Sequence, residues 1–74
     1  MRILSILVRS ADRADAMIGY RISGIYGLTT TADREQATVF GSRAAAVRSA
    51  CSGDHAVPAD ASMVAIVRAI WGAR

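Results

Sequence analysis

Cys51 is the sole cysteine of this chain and His55 the sole histidine, so neither an internal disulfide nor a Cys/His zinc site can staple its fold. A chain of 74 residues buries only about 60% of the surface that its unfolded form exposes. Packing alone, or packing completed by self-association, must therefore carry the stability. The apolar fraction of 53% favours a folded core over disorder, although much of it is alanine, which buries little area. This length predicts a single domain over residues 1–74.

Ile3-Leu4-Ser5-Ile6-Leu7-Val8-Arg9 reads as a buried strand closed by charge. Ser10 to Gly19 offers a serine cap, early acidic residues and a glycine stop, the pattern of a short helix, though its polar run also suits a wide loop. Tyr20 to Thr29 alternates with period two, and Gly24 and Gly27 suggest a bulge or bend within that strand. A polar turn at Thr31 to Glu35 leads to Ala37-Thr38-Val39-Phe40, so residues 20–40 predict one antiparallel hairpin with Tyr20 and Tyr26 packing across strands.

The clearest boundary is Gly41-Ser42, where serine caps an alanine-rich helix from Arg43 to Cys51 and Gly53 supplies its exit. Ala44, Val47 and Cys51 share the expected buried face, with Arg43 and Arg48 turned away. Residues 53–59 read as a loop. In the tail, Asp60 would cap a helix from Ala61 to Trp71 stopped by Gly72, with Met63, Ile66, Val67, Ile70 and Trp71 in one apolar stripe. The same run also reads as a strand buried on both faces. The expected fold is α+β: a small antiparallel sheet of about three strands packed against one or two helices, the C-terminal segment being a helix or a further strand.

No constellation for catalysis emerges, and the chain is expected not to be an enzyme and to need no cofactor. Cys51 closes the apolar face of its helix, where a cysteine acts as a small buried hydrophobe rather than a nucleophile. His55 follows in a loop, without an orienting carboxylate beyond the adjacent Asp54. Asp12, Asp15, Asp33 and Asp60 never adopt a metal-loop spacing, so no metal site is expected. Gly24-Ile25-Tyr26 resembles the first half of the GIY-YIG nuclease signature, but no Tyr-Ile-Gly follows and the one glutamate, Glu35, sits in a polar turn. A helix-turn-helix is disfavoured as well, because only Ser62 and Arg68 could face bases from the second helix.

All nine basic residues are arginine and the net charge is +3. A guanidinium fork pairs bidentately with carboxylate or phosphate. The balance allows an anionic partner but lacks the dense basic face of a dedicated nucleic-acid binder. The apolar runs Ile3–Val8 and Met63–Trp71 are too short for a signal-peptide core or a bilayer span. With a lone cysteine, a cytoplasmic location without membrane association is expected.

From Tyr20 to Cys51 the order of strands, the step Ala37-Thr38-Val39-Phe40-Gly41-Ser42-Arg43 and the alanine helix after it resemble small phage and prophage proteins. The resemblance covers under half of the chain and concerns fold rather than an active site. It implies a non-enzymatic inhibitor of a host defence complex, of the anti-CRISPR kind, acting by surface occlusion. Its partner would be a host protein or ribonucleoprotein complex. Arg9, Arg21, Arg43 and Arg48 would pair with carboxylates or compete with nucleic acid, and Tyr26 or Trp71 would anchor. The alternative is a small nucleic-acid-binding accessory protein that sets the same arginines on phosphates. Either is compatible with a homodimer.

Overall fold

The computed structural model describes residues 3–13 and 16–72. Its elements run β1 (Ser5–Arg13), β2 (Ala16–Gly24), β3 (Gly27–Thr31), α1 (Arg43–Ser49), β4 (His55–Pro58) and α2 (Met63–Trp71), with a 3-10 turn at Arg34–Gln36. The strands form one antiparallel sheet in the order β3-β2-β1-β4. The α+β class holds, the sheet has four strands, and the tail is a helix.

β1 is central because both its faces are apolar. Alternation sends Ile6 and Val8 to one face and Ser5 and Leu7 to the other, and all four are buried. On the first face Ile6, Val8, Tyr20 and Val57 join Ile66 of α2, with Ala37 and Ala61, in the main core. Leu7 and Ala46 are fully buried outside that cluster. Ala46 is the buried residue of α1, which contacts β1 and β4. Thus α2 closes one face of the sheet and α1 the other.

Each helix begins where a serine hydroxyl accepts from the backbone three residues on. Ser42 Oγ accepts from the Ala45 amide and Ser62 Oγ from the Ala65 amide, both at 3.1 Å, which satisfies a donor that the first turn leaves open. The second cap is Ser62 rather than Asp60. At the far end Gly72 adopts φ 63° and its amide donates to the Arg68 carbonyl at 2.7 Å, the glycine stop that the tail pattern implies.

Four expectations are overturned. Ser10 to Gly19 is not a helix: β1 continues to Arg13 and β2 begins at Ala16, with Ser10 opposite Ile18 and Arg9 opposite Gly19; Ala14 and Asp15 lie outside the described residues. Glycine at position 19 is a close-approach residue, since a Cβ there would lie 2.5 Å from Thr30 Cγ2. The hairpin partner of β2 is β3, turned at Ile25-Tyr26, and not residues 37–40. That segment instead wedges between β1 and β2: Phe40 bridges Ser5, and the Thr38 amide donates to the Arg21 carbonyl at 3.1 Å.

The buried side of α1 is also not the expected one. Ala46 is inside, whereas Ala44, Val47 and Cys51 are exposed. Residues 55–58 are a strand and not a loop, because Leu7 and Val8 take Ala56 and His55 as partners on the open edge of β1.

Candidate binding surfaces

The sequence-predicted arginines divide into two internal and two external. Arg9 and Arg21 alternate onto the α1 face of the sheet, where both meet Asp54, whose side chain is wholly buried. Arg9 Nη1 lies 3.6 Å from Asp54 Oδ1, and Arg21 Nε lies 3.4 Å from Oδ2. The Cys51 amide donates to Oδ2 at 2.8 Å, and Arg21 Nη1 donates to Thr30 Oγ1 at 2.6 Å. Arg21 is buried; its charge serves the fold, because an unpaired guanidinium at that depth would be costly. Arg9 is about one-third exposed, and its Nη2 reaches the Ser52 carbonyl at 3.5 Å.

Arg43 and Arg48 stand on the outer side of α1. With Ala44 and Val47 they line a shallow open depression, and all four residues are exposed. Arg9, Arg21 and Asp54 lie on this same side of the sheet. Arg68 lies in the last turn of α2, and Arg34 in the 3-10 turn reaches the segment that leads into that helix. Arg34 is tied down there, donating to the carbonyls of Ala59 at 2.9 Å and Ala61 at 2.6 Å.

Tyr26 and Trp71 occupy different ends of the fold. Ile25 and Tyr26 form the two-residue turn between β2 and β3 and are essentially fully exposed, at 95% and 101%. Tight hairpins prefer Asn-Gly or Asp-Gly at such positions; here Gly27, at φ 109°, supplies the left-handed backbone next to them. Tyr20, by contrast, is in the core, so the two tyrosines do not pack together.

Trp71 lies in a groove that no single stretch of sequence announces. The start of β2 brings Met17 and Ile18 beside Met63, Val67 and Trp71 of α2, enclosing about 460 Å³ with apolar side chains alone. The stripe of α2 is wider than the core needs: Ile66 is buried, Ile70 is half-buried, and Met63, Val67 and Trp71 stay exposed beyond it. The apolar stripe was a sequence signal for half of this groove. Its other half, Met17 and Ile18, was masked by the reading of residues 10–19 as a helix.

No group of three or more His, Cys, Asp or Glu side chains that could hold a metal occurs among the described residues. Among the described residues no helix is long and apolar enough to cross a membrane. Cys51 is exposed, which overturns its expected burial, and His55 is half-buried in β4, paired with Val8. No protein-family model, curated protein or solved structure matches this chain.

Proposed function

We propose that this chain is a non-enzymatic binding protein that occupies a surface of a larger protein or ribonucleoprotein complex. One observation carries the reading: the groove of Met17, Ile18, Met63, Val67 and Trp71 is wholly apolar and open to solvent. A site for a small polar substrate carries a few converging polar groups among its apolar walls; this groove has none. It suits the apolar side chains of a partner protein, with Trp71 as anchor, since tryptophan, tyrosine and arginine dominate interface energetics. Tyr26 offers a second anchor at the hairpin tip.

The resemblance to small phage proteins gives the reading its concrete form, an inhibitor of mobile-element origin that blocks a host defence complex by occlusion. The test is co-purification with such complexes, together with plaque counts on a CRISPR-immune host expressing the chain. Expected are a stable complex, restored infection, and loss of both on Trp71→Ser with Met63→Ser. No stable partner across several defence complexes would sink the proposal. The nucleic-acid alternative rests on the arginine face, and it requires a gel shift whose affinity falls steeply with salt.

A further inference from the structure

The outer side of α1 combines three properties that its role in folding does not require. First, Arg43, Val47, Ala44 and Arg48 follow one another around the helix over about 140°, so two arginines rim two apolar residues. Second, Val47 is 55% exposed, although a β-branched side chain is a poor helix former at a solvent position. Third, the guanidiniums that flank the depression, Arg43 and Arg48, are exposed, whereas Arg9 and Arg21 on the same side of the sheet already meet Asp54, so positive charge at this strip is open to an anionic partner.

We propose that this face docks an acidic polypeptide segment in which carboxylates alternate with apolar side chains. Carboxylates would take the guanidiniums of Arg43 and Arg48 in bidentate pairs, while an apolar side chain covers Val47 and the small Ala44 allows close approach. An apolar centre rimmed by charge is the anatomy of a protein interface. A phosphate backbone would leave Val47 and Ala44 without a counterpart, and the strip supplies no hydroxyl or amide side chain to add phosphate contacts. The surface lies across the sheet from the Trp71 groove and does not depend on it.

The test uses the purified chain with three probes: polyglutamate, a random glutamate–tyrosine copolymer, and a 20-base-pair duplex DNA. Titration should show the copolymer bound more tightly than polyglutamate or DNA. Arg43→Gln with Arg48→Gln should weaken copolymer binding at least tenfold. Val47→Ser should abolish the preference for copolymer over polyglutamate while keeping the weaker electrostatic binding. All three positions are exposed, and circular dichroism checks that the variants fold. Copolymer binding that ignores the arginine substitutions overturns the proposal. So does a preference for DNA, which would assign the face to nucleic acid, or no measurable binding of the copolymer. Because the probes are not a defence complex, failure here leaves the groove reading standing, and the converse holds too.

Discussion

At the scale of single residues, Gly19 shows how a position can mislead when read locally. A glycine after a polar, acidic run signals a helix stop, yet its function here is to let β2 pass beside Thr30. Ideal Cβ geometry puts the added methyl of Gly19→Ala 2.5 Å from Thr30 Cγ2 and 3.4 Å from Ala11 Cβ. Thr30 cannot simply rotate away, because its Oγ1 accepts the 2.6 Å hydrogen bond from buried Arg21 and its β-branched side chain has few rotamers. Gly19→Ala is therefore expected to cost about 1–3 kcal/mol in urea unfolding. Adding Thr30→Ser, which deletes the offending methyl and keeps the hydroxyl, should return most of that loss. Equal destabilisation in the single and double variants would refute this packing account.

The elements divide by how much of their structure is local. The helix from Arg43 was legible at its start, where Ser42 caps it as expected, but it ends at Ser49 with Ala50 as its C-cap rather than running to Cys51 and a glycine exit. The tail, whose pattern also suited a strand, is a helix whose glycine stop, Gly72, lies within its own segment. The inner faces of both were less legible. In α2 the apolar stripe is present, but only its Ile66 side enters the core, leaving the Met63–Val67–Trp71 side for the groove. Truncating the two sides should separate them. Ile66→Ala removes a fully buried side chain at a cost of about 2–5 kcal/mol. That approaches the whole stability of roughly 4–11 kcal/mol expected at this chain length. Trp71→Ser, at a residue 44% exposed, should lower the thermal midpoint far less. In α1 the expected face was Ala44, Val47 and Cys51, and the face that is buried, with Ala46, was decided by packing against β1 and β4, elements that the helix's own periodicity does not describe. Residues 37–40 failed as a hairpin partner for a similar reason: their β-branched composition is right, but β3 pairs along the outer edge of β2, and the segment keeps only isolated bonds, from Thr38 to Arg21 of β2 and from Phe40 to Ser5 of β1.

For the whole molecule, the radius of gyration of 11.4 Å matches the roughly 11 Å of a folded domain of this length, so the exposed apolar side chains do not reflect an expanded chain. They lie instead on the outer sides of the two helices, at the hairpin tip and near strand ends of an open four-stranded sheet. Groove and hairpin tip sit at opposite ends of β2, roughly 25 Å apart, and the arginine face lies on the other side of the sheet. What unites the layers is Asp54. It follows α1, precedes β4, and holds Arg9 of β1 and Arg21 of β2, a convergence that spans 45 positions of sequence and could not be read from residue types. Its side chain has no solvent exposure and that of Arg21 only 10%, so water cannot screen the loss of either partner. Asp54→Ala should leave the Arg21 charge buried without its counterion and destabilise the fold by about 3–5 kcal/mol. Arg9→Ala, at a partner one-third exposed, should cost much less, because surface pairs contribute about 1 kcal/mol or below. Urea titrations of the two variants, with unchanged slopes confirming two-state unfolding, decide the matter. If the two losses come out equal, Asp54 is held chiefly by its hydrogen bond from the Cys51 amide, and the charge of Arg21 is compensated elsewhere.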